Sequence, residues 1–343
     1  MWRLSDFDYR LPPDRIAQTP LPDRDKSRLM LVDRRAGVIA HRIFKDLPQY
    51  LQAGDVLVIN DTRVSALRLF GRRPGHSQEI VETFLTDRIS SGFWRALVRP
   101  GRKLMPGTTI EFADGLEAIV AERIDDRGGR LLQFSTAVED VDVAIERQGL
   151  APLPPYITET LPPENRERYQ TVYARHEGSS AAPTAGLHFT PEVLSAVSAR
   201  GVAIARVTLH VGLGTFRPIQ TEDISAHTMH PEHVRVSEEA ADTINSARGR
   251  VVAVGTTALR TLESSAVSPR RVQARDSITD MYITPGYQFQ VVDALVTNFH
   301  MPRSTLLVLV SAFGGYETMK RAYAEAIEEG YRFLSFGDAM FIA

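Results

Sequence analysis

Hydrophobic and polar residues alternate in two different ways along this chain. Before residue 64 and after residue 150, continuous apolar runs such as Val56–Ile59 are followed by polar turns and by segments of helical periodicity. One such segment, SEEAADTINSARG, predicts a helix capped by Ser237. Between residues 64 and 150, short alternating runs are separated by turns rich in Gly, Pro and Asp. The first pattern is typical of an α/β domain and the second of a small antiparallel barrel or sandwich.

The change of pattern predicts two domains. A chain of 343 residues is too long for one ordinary core. We therefore expect an α/β fold (multidomain α+β), with a discontinuous, barrel-like mixed α/β domain over residues 1–63 and 151–343. An all-β barrel domain over residues 64–150 is expected to be inserted into it, and Val141–Gln148 is the only useful helix that its sequence predicts.

Composition narrows the class of protein. The chain has no cysteine, which excludes disulfides, thiolate metal sites and cysteine nucleophiles. Its net charge of −2 does not favour a protein that coats nucleic acid, although a local basic surface is compatible with it. The N-terminus lacks the apolar segment of a signal peptide, and the run Thr305–Phe313 is too short to span a membrane. We expect a soluble cytoplasmic protein.

Two turns rich in Gly and Thr are the strongest candidates for a ligand site. They are Ala182–His188 and His210–Arg217, and a predicted helix (Pro191–Arg200) and strand (Val202–Leu209) separate them. Their Gly and Pro content argues against a place in the core, and such loops often grip ligands. A third turn, Gly255–Thr257, precedes a predicted helix whose free N–H groups suit an anion or a polar ligand.

The segment HTMHPEH contains four groups that can bind a metal or a proton: His227, His230, Glu232 and His233. Imidazole and carboxylate ligands suit zinc, but Pro231 prevents a regular helix from presenting them on one face, and the spacing matches no metalloprotease motif. A metal site, an acid/base or hydrogen-bonding role for His230 or Glu232, and a structural role all remain open.

Three other histidines, His188, His210 and His300, lie at the edges of apolar segments. A single histidine in this setting is more often part of the core. Three such histidines beside polar turns favour the interpretation that at least one of them lines a pocket. The sequence has no dinucleotide-binding glycine motif, no phosphate-binding loop and no GxSxG elbow. The residue pattern alone indicates a two-domain α/β enzyme with a polar pocket.

Longer motifs add a resemblance to one family. YQTVYA, AAPTAGLHF, VTLHVGLGTFRP, AVGTTALRTLE, TNFHMPRSTLLVLVSAF and YRFLSFGDAMFI resemble the S-adenosylmethionine:tRNA ribosyltransferase-isomerases of bacterial queuosine biosynthesis. The resemblance extends to FDYRLPPDRIAQTP and GDVLVINDTRV, and so covers nearly the whole chain.

The resemblance implies a specific reaction. The family moves the ribosyl part of S-adenosylmethionine onto 7-aminomethyl-7-deazaguanine at the tRNA wobble position, and epoxyqueuosine, adenine and methionine result. It also implies a barrel-like α/β catalytic domain with an inserted β-barrel and no metal. S-adenosylmethionine is then a consumed substrate rather than a cofactor, and tRNA is the partner. We expect a monomer without a membrane partner.

This chemistry needs a base, an acid and a pocket closed to water. We expect the catalytic groups to be His188, His210, Glu232 and Asp338. We expect substrate-binding residues to be Thr184, Gly186, Gly212, Gly214, Thr215, Arg217, His230, Thr256, Thr257, Arg260, Asn298 and His300. We expect tRNA to contact Arg24, Arg28, Arg166, Arg168 and Tyr169.

Two alternatives come from other classes of protein. A metal-dependent hydrolase built on HTMHPEH predicts sensitivity to chelators and one bound metal per chain. An RNA-binding module that uses only the β-barrel predicts tRNA binding without binding of S-adenosylmethionine. The polar Gly/Thr turns outside the β region argue against the second alternative.

Overall fold

The structure is a computed structural model that describes residues 2–65, 67–76, 78–125, 128–136, 140–150, 152–158, 167–212 and 219–343. The chain divides into two compact units, Met1–Arg63 with Pro154–Ala343, and Val64–Leu153. The larger unit contains a mixed sheet with helices and the smaller unit contains a closed barrel. The predicted α/β fold with a small all-β barrel is confirmed, whereas the sheet of the larger unit, expected to be barrel-like, is a nine-stranded mixed sheet.

The strands are numbered in chain order: β1 (Arg28–Asp33), β2 (Val38–Ile43), β3 (Val56–Asn60), β4 (Thr62–Val64), β5 (Arg68–Arg72), β6 (Ile80–Ser90), β7 (Phe93–Arg99), β8 (Thr109–Glu111), β9 (Leu116–Arg123), β10 (Gly129–Thr136), β11 (His176–Ser179), β12 (Ala203–Leu209), β13 (Glu232–Val236), β14 (Val251–Val254), β15 (Ala266–Ser268), β16 (Arg271–Val272), β17 (Arg275–Thr279), β18 (Ala294–Asn298) and β19 (Ala339–Ile342). The α-helices are α1 (Val141–Gln148), α2 (Pro191–Ala199), α3 (Glu238–Asn245), α4 (Gly255–Ser264), α5 (Thr305–Gly314) and α6 (Tyr316–Glu328).

Nine strands of the larger unit form one mixed sheet in the order β17-β13-β12-β3-β14-β18-β19-β1-β2. The four central strands, β12, β3, β14 and β18, are parallel to their neighbours within this group. Every residue of β3 is buried, as expected for a parallel strand covered on both faces. The carboxyl ends of these strands, at Leu209, Asn60, Val254 and Asn298, therefore meet at one edge, where α/β sheets usually bind ligands.

Successive residues of β3 point into two hydrophobic cores. Val56 and Val58 belong to the core that α4, α5 and α6 cover, whereas Leu57 and Ile59 belong to the core on the other face. Helix α2 and a 3-10 helix at Phe44–Tyr50 cover that second core. The side chain of Ser237 caps α3 at the backbone N–H of Ala240, so the predicted cap is confirmed.

The smaller unit is a six-stranded antiparallel barrel in the order β10-β7-β6-β5-β8-β9. Its apolar core includes Ala144 and Ile145 of α1, the predicted helix of this region. Arg130 is buried within it, and its guanidinium donates to the backbone carbonyls of Leu104 at 2.6 Å and Gly101 at 2.5 Å. These bonds tie the turn after β7 to β10.

Two local predictions are wrong. The segment Ala182–His188 was expected outside the core, but it contains a 3-10 helix at Thr184–His188 whose last four residues are buried. The expected turn at Gly255 is instead the first turn of α4, which follows β14 directly. Gly255 has a φ of +89°, a conformation that glycine adopts without strain, and it permits this abrupt change of direction. In the described part of the chain, no helix is long and apolar enough to cross a membrane.

A buried carboxylate joins the amino ends of two central strands. Asp55, which precedes β3 and is 1% exposed, accepts hydrogen bonds from the backbone N–H and the guanidinium of Arg250, each at 2.7 Å. Arg250 immediately precedes β14. Burial opposes the charge on Asp55, but the bonds from Arg250 and from the N–H of Gln52 outweigh it, and its pKa lies below the usual value. This carboxylate should therefore stabilise the fold in its ionised form.

Substitution Asp55→Asn should lower the free energy of unfolding at pH 7 by about 3 kcal/mol, because it leaves Arg250 without its buried counter-charge. The pKa of Asp55 is lower in the folded protein than in the unfolded protein. Its full contribution to the free energy of unfolding is therefore present at pH values above the unfolded pKa and is lost as the pH falls through the folded pKa. The difference between the two proteins in urea unfolding should thus be constant from pH 7 to about 4 and shrink at lower pH.

The matched control is Asp23→Asn, which removes an exposed carboxylate that pairs with Lys26 at 2.7 Å. This substitution should have little effect on unfolding, since exposed ion pairs contribute little. An equal loss for the two variants would contradict the role given to Asp55.

Candidate active site

A cavity of about 480 Å³ lies at the carboxyl edge of the parallel strands. Its wall includes Asn298 at the end of β18, Thr256 and Arg260 of α4, and Thr184 and Ala185 of the 3-10 helix. The volume is within the range of roughly 300–1,000 Å³ that is usual for small-molecule sites. Other polar residues that line the cavity are Tyr156, Tyr169, Glu232, Thr257, Thr297, His300, Arg303, Ser304 and Ser335.

A buried ion pair forms one part of the cavity wall. Glu232 and Arg260 are 5% and 4% exposed, and the guanidinium of Arg260 donates to Oε2 of Glu232. The other carboxylate oxygen accepts from the backbone N–H of Gly212 at 3.1 Å, and Nε of Arg260 donates to the carbonyl of Met281 at 3.1 Å. The buried Nη2 of Arg260 has no acceptor among the residues described. A donor left in this state favours a ligand that accepts a hydrogen bond.

A chain of hydrogen bonds orients Asn298. Its Nδ2 donates to the carbonyl of Leu334 at 3.0 Å, which fixes the amide, and it also donates to Nε2 of His188 at 3.2 Å. Nδ1 of His188 must then carry the proton and donate to Oγ of Ser27 at 2.7 Å, and Ser27 donates to the carbonyl of Arg24. The buried Oδ1 of Asn298 has no partner in the described structure. The site thus contains an acceptor of fixed orientation.

Neither His188 nor His300 is charged at neutral pH. Burial, reinforced by the positive charge of Arg24, lowers the pKa of His188 to about 3, and its ring stacks on Phe44. Burial alone lowers the pKa of His300 to about 3. His300 lines the cavity and its Nε2 lies 3.0 Å from Oγ1 of Thr297. A neutral imidazole in this place does not repel a cationic ligand.

Of the four residues expected to be catalytic, the structure places only Glu232 at the cavity wall. His188 lies behind Asn298. Nδ1 of His210 lies 2.8 Å from Oγ1 of Thr62, away from the cavity lining. Asp338 accepts backbone N–H groups with both oxygens, from Arg28 at 2.8 Å and from Arg332 at 2.7 Å. These bonds give Asp338 a structural place between β1 and the segment before β19.

The expected substrate-binding residues divide into three groups. Those that line the cavity are Thr184, Thr256, Thr257, Arg260, Asn298 and His300. Those that do not line it are Gly186, Gly212 and His230. Gly186 packs against Tyr173, whose hydroxyl would lie 2.2 Å from an added Cβ, and His230 is exposed. Those outside the described residues are Gly214, Thr215 and Arg217.

Two of the residues expected to bind tRNA, Arg24 and Arg168, line a small pocket that shares Ser335 with the cavity. Arg24 donates to the carbonyl of Leu187 at 3.2 Å, and Arg168 to that of Leu21 at 2.6 Å. Burial, and then the charge of Arg168, lower the pKa of Arg24 to about 10.

The other expected tRNA contacts are placed differently. The guanidinium of Arg28 lies over the ring of Tyr331 at 3.8 Å and pairs with Glu329 at 3.6 Å. Tyr169 is fully buried in the cavity wall, so it cannot form part of an exposed RNA surface. Arg166 lies outside the described residues.

The segment HTMHPEH does not gather its polar groups at one point. Glu232 pairs with Arg260, whereas Nε2 of His233 lies 2.7 Å from Oδ1 of Asp276 and His227 packs edge-on against Tyr282. Across the residues that the structure describes, no three His, Cys, Asp or Glu side chains are grouped to hold a metal ion.

Sequence reasoning missed several residues that the structure places at the site. Thr297 and Arg303 belong to the motif TNFHMPRST, and Ser335 belongs to FLSFGDA, so both motifs held the signal. Tyr156, whose hydroxyl lies 2.7 Å from Oγ of Ser335, and Ser27 stand in segments that carry no distinctive pattern.

Comparisons with known proteins agree on one family. A family described as "Queuosine biosynthesis protein" matches residues 4–342. Proteins named S-adenosylmethionine:tRNA ribosyltransferase-isomerase from Symbiobacterium thermophilum and Desulfitobacterium hafniense are 55% and 51% identical, over 99% of this chain and 99% of each relative.

A crystal structure of S-adenosylmethionine tRNA ribosyltransferase from Thermotoga maritima matches with a TM-score of 0.55 and 38% identity, over 98% of this chain and 100% of that chain. The match spans both compact units in sequence. The chain therefore belongs to the queuosine biosynthesis family and is an S-adenosylmethionine:tRNA ribosyltransferase-isomerase.

Proposed function

We propose that this enzyme transfers and isomerises the ribosyl moiety of S-adenosylmethionine onto 7-aminomethyl-7-deazaguanine at the tRNA wobble position. The products are epoxyqueuosine-tRNA, adenine and methionine, and S-adenosylmethionine is consumed rather than regenerated. The observation that carries the proposal is the single cavity in which the motifs AAPTAGLHF, AVGTTALRTLE, TNFHMPRST and FLSFGDA meet.

The polar groups of the cavity suit the reaction. The positive sulfonium makes the ribose C5′ hydrogens acidic, so that loss of one of these protons to a base gives an ylide. The bond between ribose and adenine breaks and adenine leaves with a proton, while the aminomethyl nitrogen loses a proton as it bonds to a carbon of the rearranged ribose. The C5′–sulfur bond breaks to release methionine as a neutral thioether, and one proton is released overall. Neutral His300 adds no positive charge beside the sulfonium. Removal of water strengthens each remaining polar contact. The cavity presents both an unpaired acceptor, on Asn298, and an unpaired donor, on Arg260, among its described groups.

We propose that His188 acts as a positioning residue. Its Nε2 accepts a hydrogen bond from Asn298, and its Nδ1 is occupied by Ser27. The imidazole therefore has no free nitrogen directed at a substrate. Its role is to hold the amide of Asn298 so that Oδ1 faces a donor group of the ligand.

We propose that tRNA binds beside the cavity through Arg24 and Arg168, together with Arg332. The structure gives all three half-buried guanidiniums backbone carbonyl partners, and Nη2 of Arg332 donates to Thr19 at 2.5 Å. The charges of Arg24 and Arg332 both act on His188. The described residues that line the small pocket include Arg24 and Arg168 but no carboxylate. Phosphate oxygens suit such a cluster.

The proposed reaction can be tested by mass spectrometry. The protein is incubated with S-adenosylmethionine and with tRNA that carries the aminomethyl-deazaguanine base, with and without chelator. We expect release of adenine and methionine and a mass gain on the wobble nucleoside that corresponds to the ribose-derived group. A gain the size of a methyl group, or none, would contradict the proposed reaction.

Substitution His188→Ala should reduce kcat/KM about tenfold, because Asn298 loses one hydrogen bond that fixes its amide. His188→Gln should recover most of this loss, since its side-chain oxygen can accept from Asn298. His210→Ala is the matched control and should be near the wild-type rate. If His188→Gln were as impaired as His188→Ala, with folding intact, a direct chemical role of the imidazole would replace the positioning role.

Substitutions Arg24→Gln and Arg168→Gln should each weaken tRNA binding and reduce the slope of log K against log salt concentration by about 0.7–0.9, the effect of one lost phosphate contact. Filter binding at several salt concentrations measures this slope. Arg270→Gln is the control, because Arg270 pairs with Asp293 at the amino ends of the strands. An unchanged slope in both variants would exclude this RNA-binding surface.

A further inference from the structure

The ion pair of Arg260 and Glu232 lines the same cavity as the N-terminus of helix α4. Arg260 is on α4, and Gly255, Thr256 and Thr257 of the first turn line the same cavity. The capping position, Val254, offers no side-chain acceptor to the free N–H groups of this turn. These N–H groups and the helix dipole favour a negative charge near them.

A second observation points to an anion at the same place. Arg260 is 4% exposed, and its Nη2 has no acceptor within the described part of the chain, although Nε and Nη1 are both occupied. The hydroxyl oxygen of Thr257 is likewise buried without a partner. Two unsatisfied groups that line the same cavity as this helix N-terminus indicate a ligand that accepts hydrogen bonds from both.

The negative charge of Glu232 does not oppose this assignment. One of its oxygens accepts from Arg260 and the other from the backbone N–H of Gly212. Arg260 and Glu232 therefore present a positive and a negative group side by side at the cavity wall. A zwitterionic amino acid has the complementary arrangement, with its carboxylate next to its ammonium group.

Resting on the proposed function, we propose that Arg260, with the first turn of α4, binds the α-carboxylate of the methionine part of S-adenosylmethionine, and that Glu232 receives its ammonium group. The adenosine part then extends toward Asn298, whose Oδ1 accepts from a donor on the nucleoside. The cavity thus recognises an amino-acid end as well as a nucleoside end. Analogues of S-adenosylmethionine that lack the carboxylate should therefore bind more weakly than S-adenosylmethionine itself.

The test combines one substitution with one ligand truncation. Dissociation constants of S-adenosylmethionine and of its decarboxylated analogue are measured by calorimetry, without tRNA, for the wild type and for Arg260→Lys. The wild type should prefer the intact donor about 10- to 100-fold, because a charged hydrogen-bonded contact is lost with the carboxylate. In Arg260→Lys, which keeps the charge but not the second N–H, this preference should fall by about tenfold.

Arg270→Lys is the control. Arg270 pairs with Asp293 at 2.9 Å and is not among the described residues that line the cavity. This variant should keep the wild-type preference. If Arg260→Lys does not fold, the double variant Arg260→Met with Glu232→Gln removes both buried charges together and should bind the two ligands almost equally.

The outcomes separate this inference from the function on which it rests. The wild type and Arg260→Lys could both bind S-adenosylmethionine tightly and prefer it over the decarboxylated analogue by the same factor. This result would overturn the carboxylate assignment alone. A weaker affinity of Arg260→Lys for tRNA, with an unchanged donor preference, would overturn it in favour of an RNA phosphate. Failure of the wild type to bind S-adenosylmethionine at all would overturn both.

Discussion

The parallel pairing of β12, β3, β14 and β18 is the constraint on which the site depends. Because these strands run in the same direction, their carboxyl ends must meet at one edge of the sheet. Segments that are far apart in sequence, such as Thr184 and Asn298, thereby line a single cavity. The bond network of Asp55 at the opposite end holds β3 to β14, so the same pairing is also fixed at the amino ends of these strands.

The energetics of the site follow from burial. Arg260 and Glu232 are removed from water, which costs several kcal/mol per ion unless other contacts offset it. The pair recovers part of this cost, while the unpaired groups on Arg260, Thr257 and Asn298 leave hydrogen-bonding capacity unused in the described structure. Because buried polar groups are usually hydrogen-bonded, these three groups mark the part of the cavity wall where we expect a ligand to make its polar contacts.

The sequence was sufficient to predict the fold class and the barrel, because apolar periodicity and the longer motifs are local signals. It also pointed to seven of the polar residues that line the cavity, namely Thr184, Glu232, Thr256, Thr257, Arg260, Asn298 and His300. The roles of the side chains were harder to predict from the sequence. In the sequence alone, His188 and Asp338 look like candidate catalysts. In the structure, the two ring nitrogens of His188 are hydrogen-bonded to Ser27 and Asn298. The two carboxylate oxygens of Asp338 accept hydrogen bonds from backbone N–H groups. These partners come from distant segments, so no pattern within GLHFT or FGDAM could reveal them.

The low pKa values of His188 and His300 bear on how the enzyme responds to acidity. Both rings are buried and uncharged, so neither takes up a proton as the medium passes from mildly alkaline to mildly acidic. In the proposed reaction, the nucleophilic amine of the RNA base must shed its own proton before it attacks. The two imidazoles therefore keep the same charge near neutral pH, and a change of turnover in that range would come from another group, such as the amine of the RNA base.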